Sequence, residues 1–184
     1  MRYAQITPFE VCNGEGIGCS LFVQGCPFRC KGCFNKESWD FNGGNEWTKE
    51  IKTQFFEAID KPYIQRVSIL GGEPLADENI SVVLNLIKEI KFKYPQKTIW
   101  LYTGYTLEKL CEMHTEEVIY NYLTNNKDKP TPLKNLQYVD VLVDGRYIDK
   151  LKDLTLKFRG SSNQRIIDIK QTLKQKEGKI ILYK

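Results

Sequence analysis

Histidine is almost missing: His114 is the only one among 184 residues. A Ser-His-Asp triad, a zinc site built on histidines and a histidine proton shuttle would each have to use it. Its setting, Glu112-Met-His-Thr-Glu116, reads as a helix end facing solvent. The sequence also has no apolar run long enough to span a bilayer, and Met1 to Phe9 lacks a signal-peptide core. The cytoplasm is therefore the expected compartment. No self-similarity appears at solenoid periods, which excludes a repeat array. Neither sign of charge dominates, since 27 basic residues against 23 acidic ones leave a net +4. That balance gives no case for a nucleic acid or membrane partner.

What is present suits one soluble domain over residues 1–184, large enough to bury a real core. Six cysteines without an export signal point to metal or redox work rather than disulfides. Three of them, Cys26, Cys30 and Cys33, share the run Gly25-Cys-Pro-Phe-Arg-Cys-Lys-Gly-Cys-Phe-Asn35 with C-x3-C-x2-C spacing. Three thiolates are one short of a closed tetrahedral site. An iron-sulfur cubane on three cysteines keeps one iron open to a non-protein ligand, whereas a structural zinc site fills all four positions. The competing possibility is a zinc knuckle completed by Cys12 or Cys19. Otherwise Cys12, Cys19 and Cys111 read as small buried or loop residues.

The hydrophobic pattern alternates strands and helices. Residues 19–24 read as a buried strand that runs into the cysteine loop. Trp47 to Lys61 has helical spacing, and Arg66 to Leu70 is a strand stopped by Gly71-Gly72. Asp77 to Tyr94 is the clearest helix, with Ile80, Val83, Leu84, Ile87 and Ile90 on one face and Pro95 beyond its end. Thr98 to Tyr102 and Tyr138 to Val143 are further strands, with helices expected over residues 106–114 and 115–123. The polar, proline-broken stretch 124–134 is a surface loop, so that 115–135 forms a surface insertion. Residues 165–169 and 179–183 are strand candidates, with a helical turn over 171–175 between them. Strands separated by helices predict an α/β fold of parallel units with functional groups at the strand C-termini. A complete eight-unit barrel takes about 250 residues, so an incomplete, open-sided (β/α) barrel of parallel strands is expected.

Several motifs fall at those strand ends. Gly71-Gly72-Glu73-Pro74 allows close backbone approach and a fixed exit, or serves simply as a strand-to-helix turn. Tyr102 and Thr103 could bond ribose or carboxylate oxygens, and Asp144 could act as a rim carboxylate, although both settings are also ordinary turn chemistry. The loop Arg159-Gly-Ser-Ser-Asn-Gln-Arg165 brings Arg159, Ser161, Ser162 and Asn163 together in a way that suits a carboxylate or phosphate. A capped solvent loop would have the same composition.

The cysteine loop, followed by Gly-Gly-Glu-Pro about 40 residues later, resembles the signature of radical S-adenosylmethionine enzymes. The resemblance implies a [4Fe-4S] cluster on Cys26, Cys30 and Cys33, with S-adenosyl-L-methionine at the open iron. It also implies that Gly71, Gly72, Glu73 and Pro74 receive the methionyl amino group, and that the fold is the open-sided barrel of that family. With Asn13-Gly-Glu-Gly-Ile17, Tyr102-Thr-Gly-Tyr-Thr106, Asp140-Val-Leu-Val-Asp-Gly145 and Arg159 to Arg165, the ordered set is similar to the glycyl-radical activases. Within these it matches those that serve the anaerobic ribonucleoside-triphosphate reductase. The likeness runs from about Tyr3 to Ile169. It implies a protein substrate, the reductase, and flavodoxin or a similar electron donor. Many radical S-adenosylmethionine enzymes place an aromatic just before the third cysteine, near the adenine. Here Gly32 stands there, and Phe34, after Cys33, is the aromatic available to the cofactor. A carboxy-deazaguanine synthase-like enzyme and a non-enzymatic zinc or iron-sulfur module stay open as alternatives.

Overall fold

The structure is a computed structural model that describes residues 1–113, 136–175 and 179–183. His114, the helix expected over 115–123 and the insertion 115–135 lie outside the described residues. Seven strands form one sheet: β1 (Arg2–Glu10), β2 (Gly18–Val23), β3 (Asn45–Glu46), β4 (Arg66–Gly71), β5 (Thr98–Tyr102), β6 (Val141–Asp144) and β7 (Arg165–Asp168). Their order is β3-β1-β2-β4-β5-β6-β7, which leaves β3 and β7 as edges. The fold is α/β with an unclosed sheet.

Only the central four strands, β2, β4, β5 and β6, run parallel. The expectation of parallel strands throughout is corrected at both flanks, where β1, β3 and β7 pair antiparallel. Connection length explains the difference. A parallel neighbour needs a crossover of a dozen or more residues, usually a helix. Residues 11–17 between β1 and β2 are too few, and the chain between β6 and β7 carries only the short 3-10 turn Asp149–Leu151. The strand expected over 179–183 reduces to a single antiparallel bridge, Leu182 to Ile167.

Helices α1 (Lys49–Ile59) and α2 (Asp77–Lys93) cover the outer face of the sheet. Thr48 caps α1 by accepting the Ile51 N–H at 3.3 Å. Helix α2 has Asp77 and Glu78 in its first turn, which suits the macrodipole, and stops at Tyr94 before Pro95. Val83, Leu84, Ile87 and Ile90 pack there against Leu21, Val23, Val67, Ile69, Ile99, Leu101 and Leu142. Among the described residues no helix is long and apolar enough to cross a membrane.

Strand alternation sends the other residues to the inner face. Trp100, Val141 and Val143 form a second apolar cluster there, with Tyr102, Phe158, Ile166 and Tyr183 packed on it. Toward the strand N-termini this face is sealed by a buried ion pair, Arg66 Nη1 to Glu10 at 2.7 Å. Arg66 also donates to the carbonyls of Asn13 (2.9 Å), Glu15 (3.2 Å) and Gly16 (3.3 Å), so it fastens the loop after β1 as a floor. The site lies above this floor.

Candidate functional site

A cavity of about 560 Å³ opens at the strand C-termini. The cysteine loop leaves β2 and returns through backbone bonds from Gly25 N–H to Ser38 O (2.8 Å) and from Cys26 N–H to Trp39 O (3.1 Å). Cys26, Cys30 and Cys33 all line the cavity, half-buried and outside any disulfide. Burial pushes the Cys26 thiol up, and the N–H groups of Phe28 and Arg29 partly offset it. Burial likewise raises Cys30, while the nearby Arg146 guanidinium favours its thiolate.

Among the described residues no three His, Cys, Asp or Glu side chains converge as they would on a single metal ion. The three thiols face one space. A cubane cluster takes one thiolate on each of three irons and leaves the fourth open. The donor set therefore fits a cluster. Cys19 cannot complete a site with these three, because it belongs to the core on the outer face of the sheet. Burial there pushes its thiol up to about 12. Cys12 does reach the cavity wall.

The turn after β4 faces the cysteine loop and is bound to it. Gly72 N–H donates to Val23 O at 2.8 Å and Glu73 N–H to Gly25 O at 2.7 Å. Gly71 has φ +106°, and a Cβ there would lie 2.8 Å from Phe22 Cα and Val23 N, so only glycine fits. With those amides spent, carbonyl oxygens are what the turn has left for a ligand. Glu73 is buried on the cavity wall and accepts from Leu75 N–H (2.9 Å), the Thr103 hydroxyl (2.8 Å) and Gly104 N–H (2.7 Å). Burial outweighs these donors and pushes its carboxyl up to about 7. Pro74 is buried beside this turn and does not line the cavity.

The remaining predicted residues divide. Phe34, Tyr102, Thr103 and Arg159 line the cavity together with the cysteines and Gly71, Gly72 and Glu73. Thr103 has its hydroxyl committed to Glu73, so it orients that carboxylate. Asp144 does not line the cavity: it is buried, pairs with Arg165 and accepts the Leu107 N–H at 2.8 Å. Ser161, Ser162 and Asn163 also lie off the cavity. Ser161 accepts from Ile148 N–H, the Ser162 N–H bonds Leu151 O, and Asn163 braces Arg146 O at 2.8 Å. Their polar groups are spent on the segment Arg146 to Leu151, which precedes the loop in the chain. Of that loop, Arg159, Gly160 and Gln164 reach the cavity.

Sequence reasoning overlooked Arg146. Its guanidinium sits 4.3 Å from the centre of the Phe28 ring, on the cavity wall beside Cys30. Its place two residues past β6 was the available signal, since groups collect at strand C-termini in parallel units. Tyr102 and Trp39 add an electrostatic oddity to the same wall: the Tyr102 hydroxyl and the Trp39 indole N–H are buried with no hydrogen-bond partner among the described residues.

A family model described as a 4Fe-4S single cluster domain matches residues 12–167, which include all three loop cysteines and the turn after β4. The anaerobic ribonucleoside-triphosphate reductase-activating protein of Vibrio cholerae is 39% identical over 166 residues, covering 89% of this chain and 96% of its own. The protein of the same name from Escherichia coli K12 is 36% identical, covering 89% of this chain and 96% of its own. The one from enterobacteria phage T4 is 34% identical, covering 90% and 93%. The chain belongs to this family of reductase-activating proteins. The family model spans the parallel core and the cysteine loop.

Proposed function

We propose that this chain activates the anaerobic ribonucleoside-triphosphate reductase by generating a radical on one of its glycines, in an open-sided radical S-adenosylmethionine barrel. The observation that carries this is the convergence of Cys26, Cys30 and Cys33 with Gly71, Gly72 and Glu73 on one cavity. When bound, the [4Fe-4S] cluster supplies one electron to S-adenosyl-L-methionine, whose cleavage to methionine yields the 5′-deoxyadenosyl radical that takes a hydrogen atom from glycine.

The chain's own residues bind and orient. Cys26, Cys30 and Cys33 hold the cluster as thiolates, with Arg146 favouring the charged form of Cys30. The turn Gly71-Gly72-Glu73-Pro74 offers acceptors to the methionyl ammonium, and Thr103 and the Gly104 N–H hold Glu73 in place for it. Arg146, without an ion pair among the described residues, suits the methionyl carboxylate. Phe34, 56% exposed, offers a ring face to the adenine. The open side of the sheet admits the glycine-bearing loop of the reductase, and flavodoxin or a similar protein supplies the electron in the cytoplasm.

The deciding experiment combines anaerobically reconstituted protein, S-adenosylmethionine, a reductant and the reductase, and records the electron paramagnetic resonance spectrum. A glycyl signal on the reductase, lost in Cys30→Ala together with all cofactor cleavage, is expected. Stoichiometric zinc with no cleavage would instead identify a binding module. Cleavage coupled to small-molecule turnover without a glycyl signal would identify a carboxy-deazaguanine synthase-like enzyme.

A further inference from the structure

The cysteine loop also presents a surface that borders the cavity at Phe34 and Tyr147. Gly32 packs so closely on Asp149 that a Cβ would overlap the carboxylate. The Phe34 and Tyr147 rings meet edge to face at 5.6 Å, and Lys152 Nζ lies 5.2 Å from the centre of the Phe34 ring. Segments 29–34 and 147–152 are therefore one continuous patch. Within it Arg29, Lys31, Lys150 and Lys152 are exposed against a single carboxylate, Asp149, in a chain whose entire net charge is +4. Among the described residues none of these four cations forms an ion pair. Beside them two large apolar side chains that the cofactor site does not use are open to solvent: Ile148 (42% exposed) and Leu151 (41%).

We propose that this patch is the docking site of a small acidic one-electron carrier protein, which delivers its electron through the cysteine loop. The inference rests on the cluster assignment made above. Exposed apolar side chains among charged ones are the anatomy of a protein interface, and a small anion would have no use for Ile148 and Leu151. Unpaired cations steer an acidic partner and speed its encounter without demanding tight binding, which suits a carrier that must leave after each delivery. One electron leaves the carrier and enters the iron-sulfur group, and no bond is made or broken.

The test uses the anaerobically reconstituted full chain and follows bleaching of its cluster absorbance in stopped flow, with reduced flavodoxin or with dithionite. Lys31→Glu/Lys150→Glu reverses two exposed cations of the patch, and Lys49→Glu/Lys88→Glu makes the same change in net charge on the helices. Bleaching of the wild type by flavodoxin should slow about tenfold between roughly 0.05 M and 0.3 M salt. The patch variant should already be about tenfold slower at low salt and nearly insensitive to further salt. The helix variant should behave as wild type, and dithionite should bleach all three alike. Equal flavodoxin rates in the two variants would overturn the proposal. So would a patch variant whose KM for the reductase rises under dithionite, since the face would then belong to the reductase. A wild type that forms no cluster would refute the cluster assignment itself, an outcome separate from either of these.

Discussion

The two ends of the sheet's inner face treat polar groups in opposite ways. At the floor, Arg66 is completely buried yet fully engaged, by Glu10, Ser68 and the carbonyls of the loop after β1. At the rim, less than the length of one strand away, the Tyr102 hydroxyl and Trp39 N–H are unpartnered and three thiols and a guanidinium face open space. Buried polar groups are nearly always paired, so an exception calls for a partner that arrives later. The floor closes the fold, and the rim leaves its hydrogen bonds for ligands. Substitutions that move groups from one regime to the other test this division.

The largest effect is expected at the floor. Arg66→Met removes one partner of a buried pair and strands the Glu10 carboxylate, which typically costs about 3–5 kcal/mol. Burial alone would raise Glu10, but Arg66, Ser20 and the Asn13 N–H together hold its carboxyl below the usual range. Its contribution is therefore present above the ordinary glutamate pKa and fades as pH falls through the lowered one. Urea unfolding of the variant at neutral pH should show that loss. A change under about 1 kcal/mol would mean the floor is not held by this pair.

Glu73 belongs to the rim and should show the opposite sign. Its carboxyl is raised to about 7, so between the unfolded value of 4.5 and 7 the folded state binds the extra proton. Stability from this group is full below 4.5 and declines by roughly 3 kcal/mol as pH rises through 7. Glu73→Gln should remove that slope, flattening unfolding free energy against pH over the window. An unchanged slope would place the proton elsewhere. Gly71→Ala comes next: positive φ and contact with the backbone of Phe22 and Val23 should cost about 1–3 kcal/mol. A crystal structure of that variant should show the cysteine loop displaced.

The same contrast marks what the sequence could reveal. The parallel core was legible because each of its strands is a short apolar run followed by helical spacing or a glycine turn. That logic also brought the cysteine loop and Gly71-Gly72-Glu73 to one rim, since both follow neighbouring parallel strands. Strand β1 was not legible, because a strand whose residues are mostly half-buried shows no clean alternation. Asp144 could not be judged either: its partner Arg165 is 21 residues away, across an antiparallel pairing that local pattern does not encode. The fate of Ser161 and Asn163 likewise depended on how a loop folds onto Ile148 and Arg146.

The smallest predicted effect is the most discriminating. Tyr102→Phe deletes a hydroxyl that is buried without a partner, and burial keeps that phenol protonated by pushing its pKa well up. An engaged hydroxyl would cost about 1 kcal/mol when removed, whereas an orphaned one leaves stability unchanged or slightly higher. The thermal midpoint of the variant should therefore equal or exceed that of the wild type, while the equivalent deletion at the floor, Ser68→Ala, should lower it, because Ser68 donates to Asn13 O at 2.7 Å. Equal losses at the two positions would show that the rim is as fully paired as the floor and would erase the distinction between them.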